Sequence, residues 1–138
     1  MQNPEAAPLA CPVSRLEKWT QHQLSVDACP VRLILAPTLG KWTLLLLVMI
    51  EDAPRRFGEL SRLIPDISRR MLSLSLRELE ANGFIARRTL PLRPPGVEYS
   101  ITSLGASLMT ALSPALDWAD KYGPDIMAKR ADIGKNLD

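Results

Sequence analysis

Residues 67–105, ISRRMLSLSLRELEANGFIARRTLPLRPPGVEYSITSLG, change periodicity partway along, and that change decides the architecture. In the first part Met71, Leu72, Leu76 and Leu79 recur at helical spacing and form a predicted buried stripe. Arg69, Arg70, Ser73 and Arg77 fall largely on the opposite side. Ser68 stands where a hydroxyl can accept from a free amide of the first turn. Asn82-Gly83 marks the end, because glycine takes the left-handed conformation that closes a helix. Beyond it FIARRTL and VEYSI alternate as β-strands do, with LRPPG between them as the turn.

An arginine-studded amphipathic helix that feeds a hairpin predicts a winged helix. Phe84, Ile85, Val97, Tyr99 and Ile101 are the hairpin residues expected to pack back on the helix, and Arg87, Arg88 and Arg93 lie on or near its projecting part. Upstream, FGELSRLIP predicts a helix with Phe57, Leu60, Leu63 and Ile64 on one buried face. Pro65-Asp66 then turns the chain, at the spacing of a helix-turn-helix. Arg55-Arg56-Phe57 is expected to form a brief strand against the wing. CPVRLILAPTLG reads as a short helix that Pro37 ends or bends, and KWTLLLLVMIEDA as a second, closed at Ala53-Pro54.

Thr102 can cap a last helix, TSLGASLMTALSPALDWADKYG. There Leu104, Leu108, Met109, Leu112, Leu116 and Trp118 make a broad apolar face, and Pro114 is a candidate kink. A domain this small buries only part of that apolar surface alone, so a two-fold dimer is expected. The predicted class is mainly α with a small β-hairpin: a winged helix-turn-helix with N- and C-terminal dimerisation helices. Its parts are a partly helical arm (1–28), the DNA-binding domain (29–103), and a dimerisation helix with its tail (104–138).

The charge distribution singles out the same region. Residues 55–100 hold nine arginines against five acidic residues, whereas each flank, 1–54 and 101–138, holds four basic and five acidic residues. The overall +2 is therefore a local basic patch diluted elsewhere, as expected of a face that meets phosphates. A basic helix suits the major groove of a duplex, and a basic hairpin suits its backbone or minor groove. In a symmetric dimer two such helices, about one helical turn (roughly 34 Å) apart, read the two halves of a near-palindrome.

Other functions have little to stand on. The longest apolar run, WTLLLLVMI, is about half the roughly 20 residues of a bilayer crossing and is followed by Glu51 and Asp52, so no membrane role is expected. The N-terminus lacks the pattern of a secretion signal, which predicts a cytoplasmic protein. Cys11 and Cys29 are too few for a disulfide framework, no zinc-ligand spacing exists, and His22 lacks a visible Ser or Cys partner. Neither an enzyme nor a cofactor is implied. The competing reading is a winged-helix module that docks a protein and no DNA; it would lack the steep salt dependence of phosphate binding.

Four blocks together carry a specific likeness: CPVRLILAPTLGKWTLLLL, PRRFGELSRLIPDISRRMLSLSLRELE, PPGVEYSITSLG, and a downstream tail. Over about Cys29 to Tyr122 the chain resembles the HxlR-type winged-helix regulators, a branch of the MarR-like bacterial transcription factors. The resemblance implies a cytoplasmic, homodimeric regulator that binds double-stranded DNA and answers a chemical or redox signal, an oxidant or a small molecule. Ser68, Arg69, Arg70, Ser73 and Arg77 match that family's recognition helix, with Arg69 or Arg70 first choice for contact with a base edge.

Arg55 and Arg56 match its basic pair, expected on phosphates, a role open to Lys41 as well. Arg88 and Arg93 complete the expected DNA-binding set. Cys29 matches a cysteine that some relatives use as a sensor, and it precedes a predicted helix N-terminus, where a thiolate is stabilised. Cys11 lies outside the matched region. Two departures stand out: Gly96 replaces the usual arginine before VEY, leaving Arg93 to supply a wing-tip contact, and Pro37 stands in a helix commonly unbroken.

Overall fold

The computed structural model describes residues 29–136, so the expectations for the 1–28 arm, Cys11 and His22 lie outside the described residues. The described residues divide into two units, the first ending at Gly40 and the second beginning at Lys41. In the first, Val31–Leu35 is wound as a π-helix and runs directly into α1 (Ala36–Thr38). Pro37 sits in the first turn of α1, where a missing N–H is tolerated. The helical path passes through it and ends one residue later.

The second unit opens with α2 (Lys41–Asp52), which buries Thr43, Leu46, Leu47 and Ile50 at helical spacing. It continues with β1 (Arg55–Arg56), α3 (Phe57–Leu63), α4 (Arg69–Ala81), β2 (Ile85–Leu90), β3 (Gly96–Ile101) and α5 (Ser103–Asn136). The sheet is antiparallel in the order β1-β3-β2, so the brief strand expected at Arg55-Arg56 does pair with the wing. Register runs from Ile85 opposite Ile101 to Leu90 opposite Gly96. The expected winged helix-turn-helix is the observed fold.

Local chemistry explains the boundaries. The Ser68 hydroxyl accepts from the Met71 amide at 3.1 Å, and α4 closes at Asn82 with Gly83 at φ 82°. Glu59 reaches back to accept from the Arg56 amide at 3.3 Å, which fixes the start of α3. The Thr102 hydroxyl accepts from the Gly105 amide at 3.0 Å and donates to the Gly83 carbonyl, tying the start of α5 to the end of α4.

One core joins these elements. Leu46, Leu47 and Ile50 of α2 meet Leu60, Ile64, Leu72, Leu76, Leu79, Phe84, Ile85, Tyr99 and Met109. Two expected members are absent: Leu63 is 46% exposed and Met71 39% exposed. Each occupies the edge of its helix's apolar arc, and α3 is only 7 residues long, too short for a wheel to fix its inner face. The last helix also exceeds expectation. It runs through Pro114, Gly123 and Pro124 to Asn136, because carbonyls freed by a proline on an exposed helix can turn to water.

Candidate nucleic-acid interface

Burial of one side of α4 dictates what the other side presents. Leu72, Ser75, Leu76 and Leu79 face the core, which leaves Arg69, Arg70 and Arg77 exposed and Ser73 half-buried. The Arg69 guanidinium lies 5.7 Å from the Phe57 ring centroid, so α3 braces it through a cation–π contact. Arg70 makes no ion pair among the described residues. Solvated apolar side chains, Met71 and Leu74, accompany these cations.

The hairpin adds a second group of cations, sorted by strand parity. Arg88 pairs with Glu98 at 3.0 Å on the sheet face turned away from α4. Arg87, opposite Tyr99, shares the α4-facing side with Val97. Together with Arg77, Ser73, Glu80 and Phe57 these three residues line a cleft of about 490 Å³ between α4 and the wing. Arg87 therefore belongs with the site, although charge counting placed it only near the wing. The signal that finds it is its odd-numbered parity with Ile85 and Thr89.

The other expected residues divide sharply. Arg55, with a side chain 24% exposed, bonds the Asp52 carboxylate at 3.1 Å, the Met49 carbonyl at 3.2 Å and approaches Glu59 at 3.7 Å. A guanidinium so engaged clamps α2 to α3 and has little left for a phosphate. Arg56, its neighbour, is exposed and lies across Gly96. Lys41 sits 4.3 Å over the Trp42 ring and 3.9 Å from Asp66, both loose surface contacts. Arg93 stands exposed in the turn between β2 and β3. Cys29 is buried, and its carbonyl accepts from the Leu33 amide at 2.9 Å.

Arginines from two elements thus border one cleft, Arg77 from α4 and Arg87 from the wing, with Arg69 and Arg70 exposed on the same helix and Arg88 on the other face of the sheet. That arrangement can meet a duplex with guanidinium forks at base edges and with point contacts to phosphates.

Comparison with known proteins agrees with this geometry. The HxlR-like helix-turn-helix family matches residues 38–127. The HTH-type transcriptional regulator YtfH of Escherichia coli is 35% identical over 118 residues, covering 86% of this chain and 94% of YtfH. Among solved structures, the putative regulator ytfH from Salmonella typhimurium superposes with a TM-score of 0.67 at 36% identity, covering 76% of this chain and 94% of that one. The redox regulator HypR in its oxidised form does so with a TM-score of 0.63 at 40% identity, covering 67% and 96%.

Proposed function

This chain belongs to the HxlR-like helix-turn-helix family, and on that premise we propose that it is a sequence-specific DNA-binding transcriptional regulator, acting as a homodimer on a near-palindromic operator. The observation that carries the reading is the outer face of α4. Its arginines stand in solvent on a helix whose other face is locked into the core. Arg70, with no competing ion pair among the described residues, is the first choice for bidentate contact with a guanine. Arg69 follows it. Ser68, Ser73 and Arg77 sit beside these readers, while Arg56, Arg87, Arg88, Arg93 and Lys41 hold phosphates.

Dimerisation is assigned to α5. Along it Leu104, Trp118, Tyr122, Met127 and Ile133 are exposed, more apolar surface than a helix kept in water ordinarily shows. No described helix is long and apolar enough to cross a membrane.

The signal is proposed to be an oxidant or an electrophile, as the likeness to HypR, a redox regulator, encourages. Cys29 is the candidate sensor. Its burial means that the thiol reacts only when the start of its helix opens. Mild oxidant is expected to release DNA from the wild type and not from Cys29→Ser; equal release from both excludes the thiol.

Footprinting on genomic fragments, the chain's own upstream region among them, tests the main claim. Arg70→Ala should lose discrimination between fragments while keeping nonspecific affinity. Protection of every fragment alike by the wild type would refute sequence-specific regulation.

A further inference from the structure

Gly96 stands at the wing end of β3, opposite Leu90, yet it is buried. What covers it is the Arg56 guanidinium. A Cβ built on Gly96 would collide with Nη2 and lie 2.9 Å from Cζ and 3.2 Å from Nε of Arg56. The register accounts for the meeting. Arg56 pairs with Glu98, so its side chain leaves the sheet on the same face as Glu98 and reaches along β3 to the position two residues away. A long cation from β1 is thereby laid flat on the wing's backbone, next to the turn that holds Arg93.

Two further facts give this contact meaning. Arg56 makes no ion pair among the described residues, whereas Glu98 is already engaged by Arg88 at 3.0 Å. And the three atoms nearest to a Cβ at position 96 among the described residues all belong to the far end of a flexible side chain, while Gly96 does not have a left-handed backbone. Adding a methyl group there should leave the strand intact and displace the guanidinium.

We propose that Gly96 is a positioning residue for DNA binding: its bare backbone is the slot that holds Arg56 on the wing, where the guanidinium contacts a backbone phosphate of the duplex. The wing's phosphate contact is then supplied by β1, through a glycine. The proposal rests on the DNA-binding reading above.

The test is fluorescence anisotropy with a labelled mixed-sequence duplex of about 30 base pairs, titrated at several salt concentrations. Nonspecific binding is carried by phosphates, so no operator is needed. Arg56→Ala should weaken binding roughly fivefold to tenfold near 0.1 M salt and lower the log–log salt slope by about 0.9 for each subunit. Gly96→Ala should do the same while melting at the wild-type temperature. The double variant should bind no more weakly than Arg56→Ala alone, because no guanidinium remains to be displaced.

Wild-type affinity in Gly96→Ala, or additive losses in the double variant, overturns the proposal. So does a Gly96→Ala protein that fails to fold even with Arg56→Ala present, since the strand itself then needs the glycine. Failure of the wild type to bind any duplex at low salt counts instead against the DNA-binding reading.

Discussion

The segment from α2 to β3 and the helix α5 treat apolar side chains in opposite ways. In the first, every element except the two-residue β1 buries residues in a shared core that includes Leu46, Leu60, Leu72, Leu79 and Ile85. In the second, a 34-residue helix buries only Gly105 and Met109, and Trp118 and Ile133 remain 56% and 61% exposed. The contrast separates two tasks. The winged region closes its own core and shows its cations to solvent; α5 lays Leu108, Met109, Leu112 and Leu116 on that core and leaves Leu104, Trp118, Tyr122, Met127 and Ile133 exposed, the surface proposed above for a partner subunit.

The sharpest way to break that contrast is to attack the core. Leu72→Ala removes a fully buried side chain beneath the basic face and should cost about 2–5 kcal/mol in denaturant unfolding. An effect below about 1 kcal/mol means α4 is not seated as described. Trp118→Ser with Met127→Ser should act on assembly instead. Sedimentation equilibrium is expected to show a dimer weakened by about a hundredfold, roughly 2–3 kcal/mol, from the loss of apolar contact area. An unchanged dimer places the interface elsewhere.

Smaller effects sharpen the comparison inside the winged region. Ser68→Ala deletes the cap of α4 and should lower stability by about 1 kcal/mol, read from the denaturation midpoint. Arg88→Ala breaks an exposed pair with Glu98, so stability should move by less than about 0.5 kcal/mol while duplex affinity falls several-fold. A large stability loss without an affinity change reverses the assignment of that arginine from the duplex to the fold.

What the sequence disclosed follows the same division. Ser68, Asn82-Gly83 and Thr102 act on their immediate neighbours, so the ends of α4 and the start of α5 were readable in advance. The two strands of the hairpin followed from alternation on either side of a proline-rich turn, whereas their register had no counterpart in the sequence reading. Features set by tertiary partners were less visible. Leu63 and Met71 needed to know where neighbouring helices lie, and Arg87 needed strand parity in place of charge counting. Arg55 had a local clue in Asp52 and Glu59, three and four residues away, which its charge obscured. The run of α5 through Pro114 and Pro124 shows two breakers outweighed by the helical residues around them.

Methylation interference on a footprinted fragment tests the central claim most directly, because guanine N7 is presented only in the major groove. If the outer face of α4 reads DNA, N7 methylation should block wild-type binding at two clusters of guanines about one helical turn apart, and Arg70→Ala should be largely indifferent to it. Wild-type binding that N7 methylation leaves untouched would contradict the account.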